Sequence, residues 1–353
     1  MYESIFRSAL RWFFISMAAV AGFMLGLFVL FIFMASIMDL MQTTAGGEPD
    51  IKYSFSPEIL PNAKGIRKSL SSSAPVILRV NIQGVIGLED LTHEKLEQLL
   101  TESRERSFSD NRVKAILLYI NTPGGTVVDA DGIYRALKDY KEMYKVPIYA
   151  YVDGLCASGG MYVACAADKI YATEGSIVGS IGVIVSSSVN VSKLMDKIGV
   201  ESKTMFAGKG KDELNPLRPW TPDEGENFQK LIDEYYSIFV DIVTKNRPEL
   251  SKEKLVKDYG ANVFLANQAK EYGYIDVTGI SMNDTLTLLA KQIGIDDDYY
   301  QVVELKEENW LRSLFKGNAD LSLFKGEIKH RLVIQSDLDP KLANQFLYLY
   351  RPE

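Results

Sequence analysis

Val113-Lys-Ala-Ile-Leu-Leu-Tyr-Ile120-Asn-Thr-Pro-Gly-Gly125 is the stretch that decides the fold. Up to Ile120 it is a near-continuous apolar run of strand length, as expected of a strand buried on both faces. Asn121-Thr-Pro-Gly-Gly125 then breaks the run with proline and paired glycines. Past the break, Ile133, Leu137, Tyr140 and Tyr144 recur at helical spacing, so residues 128–144 are predicted to be a helix. Residues 146–152 read as a second buried strand, and another apolar helix starts at Ser158. Working outward, residues 76–80 and 169–172 are predicted strands, with a further strand near 200–206. Residues 91–104 and about 222–245 are predicted helices. Buried strands alternating with helices of this length form βαβ units with right-handed crossovers, and the fold class is α/β.

Composition narrows the chemistry. The chain has 353 residues and a net charge of −7, which argues against a nucleic-acid partner. Its two cysteines, Cys156 and Cys165, flank Ser158 in an apolar stretch and read as small core residues rather than a disulfide framework. The two histidines, His93 and His330, both sit among charged residues. A multi-histidine metal site or a Ser-His-Asp triad would need one of them at the active centre. No metal or cofactor is expected, and a hydrolase built on this chain must move protons with another group.

From Trp12 to Met38 there is no charged residue, a run long enough to span a bilayer and too long for a cleavable signal peptide. Arg7 and Arg11 precede it, while Asp39, Glu48 and Asp50 follow it. Residues 1–41 are therefore expected to be a cytoplasmic stub and a retained single-pass anchor. The rest of the chain would lie outside a bacterial inner membrane. Residues 42–74, with Gly46-Gly47, three prolines and Ser71-Ser72-Ser73, read as a linker. Residues 75–293 carry the α/β pattern. Residues 294–353 form an extension of no assigned role, with a short echo at Ser313-Leu-Phe-Lys-Gly and Ser322-Leu-Phe-Lys-Gly.

Two glycine-rich turns lie one βαβ unit apart. In Asp153-Gly-Leu-Cys-Ala-Ser158-Gly-Gly-Met-Tyr162, a buried strand gives way to a helix near Ser158. The unpaired first-turn amides and the helix dipole favour a developing oxyanion there. Gly159 and Gly160 leave room for a substrate backbone. The plainer reading is that Ser158 only caps its helix. Asn121-Thr-Pro-Gly-Gly-Thr126 stands at a strand's C-terminal end, where ligands gather in α/β sheets. Its glycines could aim an N–H into a cavity, or the segment could be an ordinary turn.

Together these blocks resemble the signal peptide peptidase A family, membrane-bound serine peptidases with a Clp-protease/crotonase-like fold. The resemblance rests on Ile120-Asn-Thr-Pro-Gly-Gly125, Ala157-Ser-Gly-Gly160, Ala166-Ala-Asp-Lys-Ile170 and Val178-Gly-Ser-Ile-Gly-Val183, in the family's order and spacing. It covers roughly residues 75–293. It implies a Ser-Lys dyad with Ser158 as nucleophile and Ser180 holding the lysine amine. The general base maps onto Lys211 in Phe206-Ala-Gly-Lys-Gly-Lys211-Asp-Glu-Leu-Asn-Pro216, with Lys209 as the near competitor. The oxyanion hole falls on amides around Gly124, Gly125 and Gly159. A lysine is protonated at neutral pH unless desolvation disfavours its charge, so a lysine base implies burial.

Ser-x-x-Lys also occurs at Ser251, Ser313 and Ser322. Three matches show how weak that pattern is, and Ser251 reads better as a helix cap. Gly260-Ala-Asn-Val-Phe264 departs from the family pattern by lacking an arginine. One copy of each motif implies a homo-oligomeric ring, in which Ser158 and Lys211 could come from different subunits. The implied activity is cleavage of released signal peptides or other hydrophobic peptides. A membrane-protein quality-control protease with the same dyad is the alternative, and a non-catalytic crotonase-like scaffold is a third reading.

Overall fold

In a computed structural model of the chain, the described residues are 2–44, 55–88, 91–307 and 346–350. The Ser313 and Ser322 echo, His330, Glu48 and Asp50 lie outside them. The chain divides into two units, Met1–Tyr53 and Ser54–Glu353.

The first unit is one helix, α1 (Tyr2–Thr44). Its stretch Leu10–Met34 is long and apolar enough to cross a membrane.

The second unit is α/β. Its first half contains β1 (Phe55–Leu60), β2 (Val76–Gln83), α2 (His93–Glu102), β3 (Val113–Thr122), β4 (Gly124–Thr126), α3 (Val127–Tyr144) and β5 (Ile148–Ala157). Then come α4 (Gly159–Ala164), β6 (Lys169–Ala172), β7 (Ile177–Gly179), β8 (Ile184–Val185) and α5 (Ser192–Ile198). The remainder is α6 (Glu226–Asn246), α7 (Lys252–Lys254), β9 (Val263–Leu265), α8 (Ala266–Glu271), β10 (Val277–Thr278), α9 (Met282–Gln292), β11 (Gln301–Glu307) and β12 (Phe346–Leu349).

The main sheet runs β1-β11-β2-β3-β5-β6-β10, parallel from β11 to β10, with β1 antiparallel at its edge. β7 pairs parallel with the C-terminal end of β5, and β9 pairs antiparallel with β7. β3 shows why a nearly unbroken apolar run is needed at the centre. Ala115 and Leu117 pack with Ile77, Tyr149, Leu289 and Tyr300 on one face, while Ile116, Leu118 and Ile120 are buried with the opposite orientation. Burying each such aliphatic side chain contributes about 1.5–3 kcal/mol. Ser281 starts α9 with a capping box to Asp284, which fixes where that helix begins to cover the sheet.

The sheet takes in residues beyond the 75–293 pattern. β1 lies within the predicted linker and β11 within the predicted extension, and each pairs with the other. The strand expected near 200–206 does not form. That segment is exposed throughout and pairs with no strand among the described residues, so its side chains have no sheet surface to pack on.

Candidate active site

β5 carries the chain to Ser158. It pairs with β3 on one side and, at its end, with β7, where Ala157 stands opposite Gly179. At Ser158 the backbone turns sharply, with φ 54° and ψ −116°, and its N–H donates to the Gly179 carbonyl at 2.8 Å. A non-glycine residue held there stores roughly 1–3 kcal/mol of strain. The side chain does not cap α4, although Ser158 occupies the cap position. The residue is 1% exposed, and its Oγ has no hydrogen-bond partner among the described residues. An orphaned hydroxyl on a strained turn is expensive as structure.

β4 stands across from this turn. Ile86 N–H donates to Gly124 O at 2.9 Å and Thr126 N–H donates to Ile86 O at 3.0 Å, so Gly125 directs its own N–H and carbonyl to the other edge. The Gly124 N–H donates to Thr122 Oγ at 3.0 Å. A methyl group on Gly159 would lie 3.2 Å from Gly125 N, which places the Gly125 and Gly159 amides around one small space. Of the three glycines that the sequence offers, Gly124 is therefore required for its conformation (φ 96°), while Gly125 stands opposite Tyr348 of β12. Thr122 went unremarked in the sequence. It shapes this turn by accepting from Gly124 and donating to Gly84 O at 2.5 Å, and its only signal was a polar side chain at the end of an apolar strand.

Ser180 follows β7 as Ser158 follows β5, so register sets the two serines side by side. It too has a positive φ, 57°, is nearly buried, and donates its N–H to Asn262 O at 2.8 Å.

Lys211 is not brought to this pair within the subunit. It is exposed on a turn, its N–H donating to Gly208 O at 3.3 Å. Among the described residues, no hydrogen bond or ion pair joins it to Ser158 or Ser180. The loop is nonetheless tightly held. Arg218 Nε bonds Asp212 Oδ2 and its two terminal nitrogens bond the Glu224 carboxylate, each at 2.9 Å. Arg218 holds the Glu224 carboxyl down to about 2 and also lowers Asp212. Lys209 lines a cavity of about 550 Å³ beside this clamp, with Phe206, Asp212 and Glu224. Leading up to the loop, Val189, Leu194, Ile198, Val200, Met205 and Phe206 are exposed apolar residues.

His93 has another task. Its Nδ1 lies 2.9 Å from Asp129 Oδ1 between α2 and α3. Burial opposes ionisation of Asp129, but hydrogen bonds from Thr126 and His93 outweigh it and lower its pKa. Cys156 and Cys165 are buried free thiols, and burial pushes both up. A second cavity, about 810 Å³ and lined by Lys114, Lys141, Asp168 and Lys169, contains neither Ser158 nor Lys211.

Comparison with known proteins bears on the same segments. The profile of Peptidase family S49 matches residues 140–297, and that of Clp protease matches residues 85–179. A Synechocystis sp. protein named as a protease is 31% identical over 283 residues, 80% of this chain and 98% of the relative. An Enterococcus faecium protein named as a signal peptide peptidase SppA is 32% identical over 246 residues, 66% of this chain and 67% of the relative. A Methanocaldococcus jannaschii protein named as a protease is 36% identical over 205 residues, 58% of this chain and 64% of the relative.

Proposed function

Taking as premise that the chain belongs to peptidase family S49, the serine peptidases of the signal peptide peptidase type, we propose that Ser158 is its nucleophile and Lys211 its general base. The observation that carries this reading is the buried Ser158 hydroxyl on a strained turn, without a hydrogen-bond partner among the described residues.

In this mechanism the neutral Lys211 amine takes the Ser158 proton as Oγ attacks the scissile carbonyl. The Gly125 and Gly159 N–H groups bind the oxyanion, a role worth about 10²–10³ in kcat per donor. Lys211 then returns the proton to the leaving amine. Water repeats the sequence on the acyl-Ser158 ester. Ser180, beside Ser158, holds the amine in line.

Lys211 serves Ser158 of a neighbouring copy. Three features support this: the exposure of Lys211, the Arg218 clamp that stiffens its loop, and the apolar residues from Val189 to Phe206 that lead up to it. An exposed apolar cluster of this kind marks an interface, and a subunit packed on it would desolvate the amine, which favours the neutral form. The assembly is a homo-oligomeric ring. The helix Leu10–Met34 anchors it in the inner membrane with the N-terminus in the cytoplasm and the peptidase outside, close to released hydrophobic peptides.

The test uses the full chain in detergent and a hydrophobic fluorogenic peptide. Ser158→Ala and Lys211→Ala each abolish cleavage, and Lys209→Ala does not. Mixing the two inactive variants restores cleavage, because some sites then combine an intact Ser158 with an intact Lys211 from a neighbour. Cleavage by Ser158→Ala removes the mechanism. A mixture that stays inactive under conditions of subunit exchange places both residues in one subunit.

A further inference from the structure

β3 and β5 advance together and then fall out of step. From Ile116 opposite Ile148 to Ile120 opposite Val152 the pairing is one to one, but the next pair is Thr122 with Cys156. Asn121 alone therefore faces Asp153, Gly154 and Leu155, so β5 carries two residues more than its neighbour over this step. On its other side β5 changes partner across the same residues, from β6 at Val152 to β7 at Leu155. At about 3.3 Å per residue, two extra residues draw the chain beyond the bulge back by about 6–7 Å relative to a regular strand. Ser158 comes just after Cys156, so the bulge sets its height against the turn that follows Thr122. A methyl group on Gly160 would lie 2.6 Å from Thr122 Cγ2, which shows how closely that height is fixed.

A bulge forfeits ladder bonds, and here two side chains take up its backbone amides. Leu155 N–H donates to Asn121 Oδ1 at 3.1 Å, and Gly154 N–H donates to Ser176 Oγ at 3.2 Å. Ser176 is fully buried, and its hydroxyl also donates to Val152 O at 3.0 Å and lies 2.7 Å from Thr173 Oγ1. A serine hydroxyl offers one donor and two acceptor positions, so with Thr173 donating to it every position is used. Ser176 leads directly into β7, whose Gly179 carbonyl accepts the Ser158 N–H. Asn121 is anchored as well, its carbonyl accepting from Gly84 N–H at 3.2 Å. Gly154 has φ 118°, and a methyl group there would lie 2.8 Å from Asn121 Oδ1, so a side chain at this position would displace the brace.

We propose that the bulge at 153–155 is what seats Ser158 for attack, and that Asn121 and Ser176 are the positioning residues that hold it. Neither touches the reacting atoms, and each acts through the backbone of β5. Asparagine at a strand end is an ordinary turn former, and that role alone predicts a change in stability with no change in the rate per folded molecule. Seating predicts a change in rate. A slip of one residue in the bulge moves Ser158 by about 3.3 Å, and a misplacement of about 1 Å already costs about 10²-fold. This inference rests on the reading of Ser158 as the nucleophile.

The test compares the full chain in detergent with its Asn121→Leu, Asn121→Asp and Ser176→Ala variants. Each is assayed with the hydrophobic fluorogenic peptide and with a peptidyl phosphonyl electrophile that modifies Ser158. Asn121→Leu and Ser176→Ala are each expected to lower kcat by about 10–10²-fold at unchanged KM. Asn121→Asp keeps the accepting Oδ1 and is expected to keep most of the parent's kcat. Labelling separates seating from folding. In the two impaired variants the rate of Ser158 labelling falls with kcat, while the final yield stays at one adduct per chain. Asn121 is exposed, so its leucine variant decides the matter even where Ser176→Ala, at a buried position, does not fold. A yield that falls in proportion to kcat in Asn121→Leu, or a loss that Asn121→Asp shares, makes the residue structural and overturns the proposal. Unchanged kcat in Asn121→Leu, with cleavage still dependent on Ser158, also overturns it and leaves the nucleophile reading intact. Cleavage that persists in Ser158→Ala removes the nucleophile reading, and this inference with it.

Discussion

Removing the Ser158 hydroxyl is expected to make the protein more stable and inactive, and the sign of the stability change separates two readings of this residue. If Ser158 were a helix cap, Ser158→Ala would cost about 1 kcal/mol. The geometry says otherwise. Its Oγ is buried with no partner among the described residues, and an unsatisfied buried hydroxyl carries a penalty of about 1–3 kcal/mol that alanine removes. The small space left behind offsets part of this, so Ser158→Ala is expected to stabilise by about 1 kcal/mol. Ser158→Gly also relieves the strain of φ 54°, about 1–2 kcal/mol, against about 0.5–1 kcal/mol for glycine's greater freedom when unfolded. Its net effect should match or exceed that of alanine. For a unit of this size 1 kcal/mol moves Tm by about 2–4 °C, which thermal unfolding in detergent, followed by tryptophan fluorescence, resolves. Peptide cleavage is measured on the same samples. A Tm lowered by about 2–4 °C in Ser158→Ala would return the residue to a capping role and refute the reasoning.

Gly124→Ala is expected to fold but to lose at least 10²-fold in kcat, about the worth of an oxyanion donor. Its methyl group would sit 2.6 Å from Gly159 N, and steady-state kinetics with a Tm measurement checks both halves. Arg218→Met should release the Lys211 loop and lower kcat/KM by about 10–10²-fold while leaving Tm nearly unchanged. Limited proteolysis then cuts within residues 206–224 of the variant and spares the parent. Arg247→Met removes the partner that bonds Asp276 at 2.8 Å. Burial alone would raise the half-buried Asp276 carboxyl, and Arg247, the Ile170 N–H and Lys169 together more than offset this, so its folded pKa lies below the unfolded value near 3.9. Its stabilisation is therefore complete above about pH 4 and is lost as pH falls through the lower folded value. The variant should lose about 1–3 kcal/mol at pH 7 and less near pH 3, where protonation removes the charge that Lys169 and the Ile170 N–H are left to hold. Denaturant titrations at both pH values decide it.

The elements legible in the sequence were those whose pattern is set by burial. β3 and β6 announced themselves as apolar runs, α3 and α6 as helical stripes, and Ser251 does accept from Lys254 N–H as a cap. The expected strand at 200–206 failed because a local run cannot show whether a neighbouring strand will be there to pair with it. β1 and β11 were missed for the opposite reason. Each is a modest run of mixed polarity that becomes a strand by pairing with a partner some 250 positions away, which no local window contains. Within the candidate site, local sequence placed Ser158 and the glycines near one another, and the Lys211 assignment came from resemblance. The strain at Ser158, the Thr122 brace and the seating of Tyr348 could be read only once β4, β7 and β12 were in place.

The most direct test of the central claim is to trap the acyl-enzyme. The full chain in detergent is treated with a carbonyl or phosphonyl electrophile carried on a hydrophobic peptide, and the modified residue is located by mass spectrometry. One adduct per chain on Ser158, lost in Lys211→Ala, is predicted. An adduct elsewhere, or full peptidase activity after Ser158 is modified, would contradict the account.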